Sequence, residues 1–156
     1  QQQIVGLSQG LRRLSHEWHS GDLEHVGLIE AVKARADEVQ AESGVAIRVD
    51  VAGGWAPPPN DVAMCLYRVA QESLRNIAKH SHAREATIAF DRLGNDVKMR
   101  ITDDGVGFIA DANGHHGLGL ASMRERVQML GGHFDIRSAP SAGTVAEVLV
   151  PTGGTP

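Results

Sequence analysis

Two closely spaced glycine turns, Gly105-Val106-Gly107 and Gly117-Leu118-Gly119, constrain this chain more than any other feature. Glycine is costly inside both helices and strands, so residues 105–119 read as a loop with regular structure on either side. On the near side, 85–91 and 97–103 have the alternation of strands, with Val97, Met99 and Ile101 on one face. Leu93-Gly94-Asn95-Asp96 joins them as a hairpin. On the far side, a helix over about 120–130 is stopped by Gly131-Gly132, and strands follow at 133–138 and 144–150.

Upstream, Val26, Ile29, Val32, Ala36 and Val39 recur at helical spacing and predict a helix from Leu23 that stops at Gly44. Residues 45–51 alternate as a strand, and Gly53-Gly54-Trp55-Ala56-Pro57-Pro58-Pro59 is a loop from which Asn60 is placed to cap the next helix. That helix, over about 61–81, contains neither Gly nor Pro. The segment 11–19 reads as the stub of a further helix, interrupted at Ser20-Gly21-Asp22. This order implies an α/β fold of two layers: a mixed sheet of about five strands covered on one face by about three helices.

The 156 residues suit one domain with a short appendage. A net charge of −4 gives no global basic field, which argues against nucleic acid as a partner. One cysteine, Cys65, cannot form an internal disulfide and favours a reducing, cytoplasmic setting, with Cys65 itself read as core packing. No apolar run is long enough to span a bilayer. The chain opens at Gln1 without Met and reads as a piece of a longer parent, which could carry a membrane anchor elsewhere.

The standard phosphate loops GxxxxGK[ST] and GxGxxG do not occur. Instead Asp103-Asp104-Gly105-Val106-Gly107-Phe108 follows a strand directly, and Gly117-Leu118-Gly119-Leu120 opens a helix. Asp103, at the end of its strand, is placed to accept the adenine amino hydrogens, where guanine presents an acceptor. Gly105 and Gly107 allow close backbone approach, while Gly117 and Gly119 expose N–H groups at a helix N-terminus suited to phosphate. On the 61–81 helix, Glu72, Asn76, Lys79 and His80 form one stripe beside an apolar face of Leu66, Ala70, Ser73, Leu74 and Ile77. The Asn76 oxygen suits Mg²⁺, Glu72 can hold a metal water or take a proton, and Lys79 and His80 can meet phosphate. The bland reading of the same residues is a set of turns and a solvated helix face.

Together these residues resemble the GHKL ATPases and, within them, the sensor histidine kinases of the nitrate-sensor type. Gln71-Glu72-Ser73-Leu74-Arg75-Asn76-Ile77-Ala78-Lys79-His80-Ser81 is similar to the N box, and Asp103 to Phe108 to the G1 box. Gly117-Leu118-Gly119-Leu120 with Met123-Arg124-Glu125-Arg126 resembles the G2 box, and Ser141-Ala142-Gly143-Thr144 the last glycine box. The resemblance implies a Bergerat sandwich with a flexible ATP lid over residues 109–116. It implies that Asp103 reads adenine with Thr144 in support, that Asn76 binds Mg²⁺, and that Glu72 orders metal-bound water or assists proton removal. His116, Gly117, Leu118, Gly119 and Leu120 complete the implied nucleotide site with Lys79, His80, Gly105 and Gly107.

The same resemblance divides the chain into the end of a dimerisation and phosphoacceptor region (1–20), an ATP-binding catalytic domain (21–152) and a tail (153–156). It implies a homodimeric parent whose γ-phosphate passes to a histidine on the dimerisation domain and then to a response regulator. His16-Glu17 mimics an acceptor pair but lies too close to the catalytic domain, so autophosphorylation is expected to need an acceptor supplied from outside these residues. The alternatives are another GHKL ATPase, such as an anti-sigma-type serine kinase, and a degenerate module that senses nucleotide. A zinc site is the weaker reading of the eight histidines, since none forms HExxH. Trp18 and Trp55 read as local packing, and Arg124 and Arg126 as phosphate ligands or helix ion pairs.

Overall fold

A computed structural model describes residues 26–109 and 117–153. The elements are α1 (Leu28–Ser43), β1 (Ala46–Val51), α2 (Asn60–Asn76), a turn of π-helix (Ile77–Ser81), β2 (Glu85–Leu93), β3 (Asp96–Asp103), α3 (Gly117–Met129), β4 (His133–Ser138) and β5 (Thr144–Pro151). The strands form one sheet in the order β1-β2-β3-β5-β4. β1 runs parallel to β2 and every other pairing is antiparallel, so the sheet is mixed as the sequence implied.

Register explains the core. Directly paired residues share a face, and three rows cross the sheet on its helix side. Ile88, Ile101, Ala146 and Ile136 form one, Phe90, Met99, Val148 and Phe134 the next, and Val97 with Val150 lies beyond. Against them pack Val32, Ala36 and Val39 of α1, Leu66, Val69, Ala70 and Leu74 of α2, and Met123 and Val127 of α3. The opposite face is charged. There Glu147 meets Lys98, Arg100 and Arg137 at 3.6, 3.4 and 3.1 Å.

Several boundaries differ from the sequence reading. α1 begins at Leu28, and the positions before Val26 assigned to its start lie outside the described residues, as do the 11–19 stub with His16 and Trp18. Asn60 is the first helical residue of α2 rather than its cap. Pro59 takes the cap position, its fixed φ of −55° leading the chain in; it offers no side-chain acceptor, and within the first turn Asp61 Oδ1 accepts the Val62 N–H at 2.8 Å. The 61–81 helix changes at Ile77 to a wider π turn, which ends at left-handed His82 (φ 51°). The stop at Gly44 stands: it is left-handed and donates its N–H to the Gln40 carbonyl at 2.9 Å.

Cys65 is buried and packs in the core. Burial pushes its thiol above the ordinary range. Trp55 meets the Phe90 ring edge-on at 5.5 Å, local packing as expected.

Candidate functional site

The apolar rows of the sheet end in a polar one. Beyond Ile101 and Ala146, the next residues on the helix side are Asp103 of β3, Thr144 of β5 and Ser138 of β4, adjacent in register. The Thr144 and Ser138 hydroxyls hydrogen-bond at 2.9 Å, and Ser138 Oγ also donates to the Gly143 carbonyl at 2.9 Å. Ser138 Oγ accepts the Phe108 N–H at 2.9 Å, which holds the glycine turn after Asp103 against the sheet.

Facing this row across a cleft of about 440 Å³ lies the α2 stripe. That is room for a drug-sized ligand. Glu72, Asn76 and His80 line one wall, Asp103 and Thr144 the other, and Ile77, Leu120, Met123, Ile136 and Ala146 supply an apolar interior. Three sequence-selected carboxylate, amide and imidazole groups therefore share one hollow with the selected aspartate. Lys79 is exposed and is not among the lining residues. Three residues beyond Asn76 in a π turn complete less of a turn than in an α-helix, which moves Lys79 off the stripe.

The two aspartates have separate tasks. Asp103 Oδ1 accepts the Gly105 N–H at 2.8 Å, leaving the rest of the carboxylate to the cleft. Burial raises its pKa above the ordinary carboxylate value, the Gly105 bond opposes this, and Asp104 adds to it. Asp104 is exposed and accepts the N–H groups of Arg84 and Glu85 at 2.8 and 2.9 Å, and bonds of this kind hold its pKa low.

The glycine positions are required by close approach. A Cβ at Gly105 would strike the Ser81 carbonyl oxygen, and one at left-handed Gly107 the Ala139 carbonyl oxygen. A Cβ at Gly119 would meet the Glu72 carboxylate, so the first turn of α3 sits against that side chain. Gly117 opens α3, three residues earlier than the sequence placed the helix start. The side chain of Leu118, and residues 110–116 with His115, His116 and most of the expected lid, lie outside the described residues. Arg124 stacks over the Phe134 ring at 5.8 Å.

Sequence reasoning missed Ser138, and it quoted Ser73 and Met123 within the boxes without their contact across the cleft. Ser73 donates from Oγ to the Met123 sulfur at 3.7 Å, a contact between residues 50 positions apart. No local pattern signals a pairing at that separation.

Among the described residues no group of three or more His, Cys, Asp or Glu side chains is arranged to hold a metal ion. The donor set at the cleft, the Asn76 amide oxygen with the Glu72 carboxylate one turn away, is of the hard oxygen type that suits Mg²⁺ completed by water and phosphate. No helix among the described residues is long and apolar enough to cross a membrane.

Residues 61–154 match the family described as histidine kinase-, DNA gyrase B- and HSP90-like ATPases. Over 151 residues the chain is 31% identical to the sensor histidine kinase MctS of Rhizobium johnstonii, covering 95% of this chain and 32% of that protein. It is 34% identical over 131 residues to the nitrate/nitrite sensor protein NarX of Escherichia coli, covering 82% and 21%. The chain thus spans about a third or less of the length of these relatives. Among solved structures, the histidine kinase domain of the Erythrobacter litoralis EL346 blue-light activated kinase superposes with a TM-score of 0.67 at 21% identity, over 80% of this chain and 61% of that one. The mycobacterial sensor histidine kinase MprB gives 0.59 at 20% identity, over 78% and 92%. At such identities these two likenesses speak for the fold.

Proposed function

Because the chain belongs to the histidine kinase-, DNA gyrase B- and HSP90-like ATPases, we propose that it is the ATP-binding catalytic domain of a sensor histidine kinase of the nitrate-sensor type. The observation that carries this is the facing pair of walls: Asp103 and Thr144 on the sheet, with Ser138 behind Thr144, and Glu72 and Asn76 on α2 with His80 on the π turn, across one cleft. The sensor kinases among the relatives support the kinase reading over other ATPases.

On this reading Asp103 accepts the adenine N6 hydrogens, and Thr144, steadied by Ser138, supports the base through its hydroxyl or a water. The apolar interior takes the faces of the purine. Asn76 presents its amide oxygen to Mg²⁺, which when bound supplies charge neutralisation along the triphosphate. The N-terminal turn of α3 offers N–H groups to phosphate oxygens, with His80 on the opposite wall. Glu72, against that turn, accepts the proton from the ring nitrogen of the incoming histidine or orders a water beside it.

The phosphoryl acceptor is a histidine on the dimerisation domain of the parent, a homodimer, and the phosphoryl group moves on to a response regulator. The catalytic domain works in the cytoplasm. The test is calorimetric titration with ATP and Mg²⁺, followed by labelled-ATP transfer to an acceptor domain added in trans. Saturable binding and acceptor-dependent transfer are expected. Binding without transfer to any histidine acceptor would leave a nucleotide-sensing module, and transfer to a serine substrate an anti-sigma-type kinase.

A further inference from the structure

Asp104, the residue after β3, lies outside the cleft, yet its carboxylate takes two hydrogen bonds from a neighbouring segment where that of Asp103 takes one from its own turn. Asp104 Oδ1 accepts the N–H groups of Arg84 and Glu85, and its own N–H donates to the Glu85 carbonyl at 3.3 Å. Two residues on, the Val106 N–H donates to the Ser81 carbonyl at 2.7 Å. Ser81 is itself fixed, its Oγ donating to the Ile77 carbonyl at 2.7 Å and accepting the Ala83 N–H at 3.0 Å. Segment 104–106 is therefore spliced to segment 81–85, the exit from the π turn that carries His80.

We propose that Asp104 is a positioning residue for base recognition, acting through the turn that aims Asp103. The inference rests on the nucleotide reading of the cleft. The Asp103 carboxylate accepts the Gly105 N–H, and Gly105 lies between the two splice points at Asp104 and Val106. The turn lies close against the exit of the π turn, with no room for a Cβ between Gly105 and the Ser81 carbonyl. Free the Asp104 end and Gly105 can shift, and the Asp103 carboxylate shifts with it. Asp104 is exposed, so water can take over the Arg84 and Glu85 N–H groups once the carboxylate is gone, and the fold loses little. What is lost is aim: small misplacements of a recognition group are costly to binding. The phosphate end of the cleft rests on α2, α3 and the π turn that carries His80, and the Val106–Ser81 bond that ties the exit of that turn does not use the Asp104 side chain, so this end is not affected.

The experiment compares the unsubstituted chain with Asp104→Ala, Asp104→Asn and Asp104→Glu by calorimetry, using ATP·Mg²⁺ and tripolyphosphate·Mg²⁺ as probes. Asp104→Ala should weaken ATP binding roughly tenfold, the worth of one well-aimed hydrogen bond. Tripolyphosphate affinity should stay within about twofold, because that probe carries no base. Asp104→Asn keeps an acceptor oxygen and should restore most ATP affinity, whereas Asp104→Glu, one methylene too long, should not. Amide hydrogen exchange at Gly105 and Val106, measured without nucleotide, should quicken in Asp104→Ala. ATP affinity unchanged in Asp104→Ala or in Asp104→Glu overturns the proposal, as does a parallel loss for both probes. Failure of the unsubstituted chain to bind ATP would instead strike the nucleotide reading, and this inference with it; the exchange rates, needing no ligand, separate the two failures.

Discussion

Gly94 and Gly107 have almost the same positive φ, +62° and +65°, in different surroundings. Around Gly94 there is nothing within 4 Å of an added Cβ, while at Gly107 the Cβ would run into the Ala139 carbonyl oxygen and stand 3.0 Å from the Gly143 carbonyl oxygen. Gly94→Ala therefore bears the left-handed penalty alone, about 1 kcal/mol. Gly107→Ala bears the same penalty and must also displace the 139–143 turn. That turn is closed by the Ala142 N–H to the Ala139 carbonyl at 3.0 Å and tied to Val106 by the Ser141 N–H at 2.7 Å. Two such bonds at about 1 kcal/mol each bring the total to about 3 kcal/mol. Urea unfolding followed by circular dichroism measures both, with a separation of about 2 kcal/mol expected at unchanged m. Equal losses in the two variants would refute the argument that contact at Gly107, rather than its conformation, dictates glycine there.

Other consequences follow from the same geometry. Asp103 is charged against the pull of burial, so its raised pKa lowers stability as pH climbs from the unfolded value of 3.8 through the folded one. Asp103→Asn should accordingly be more stable than the unsubstituted chain at pH 7, with the gain vanishing below about pH 4, even as ATP affinity falls; thermal melts across that range check it. Asp104 has the opposite sign, its stabilisation present above pH 3.8 and lost as pH falls further. Arg92 donates to the Ala56 carbonyl at 2.9 Å and to Thr152 Oγ1 at 2.8 Å, and lies 5.9 Å over the Trp55 ring. Arg92→Ala should cost about 1–3 kcal/mol in urea unfolding and leave ATP affinity unchanged, since the clamp is remote from the cleft.

Much of this was readable in the chain because its signals are local. Alternation at Val97, Met99 and Ile101 placed β3 and so put Asp103 at a strand end, and helical spacing put Glu72 and Asn76 on one wall. The π turn was not readable, because the sequence through Ile77–Ser81 suits an α-helix and the widening accompanies the Ser81 splice to Val106, 25 positions away. Nor was Ser138, whose importance depends on register: it matters only because β5 lies between β3 and β4, bringing Thr144 beside Asp103 on one side and Ser138 on the other. Alternation singled out Asp103 but was silent on Asp104, whose task is seen only in the N–H groups of Arg84 and Glu85 that its carboxylate accepts.

The most direct test is a titration of the chain with ATP in the presence and absence of Mg²⁺, repeated on Asp103→Asn and Asn76→Ala. Saturable, magnesium-dependent binding is predicted, with Asp103→Asn weakening ATP but sparing tripolyphosphate, and Asn76→Ala abolishing the magnesium dependence. ATP binding indifferent to both substitutions, or no binding at all, would contradict a single cleft that grips the base at one wall and the metal-bound phosphates at the other.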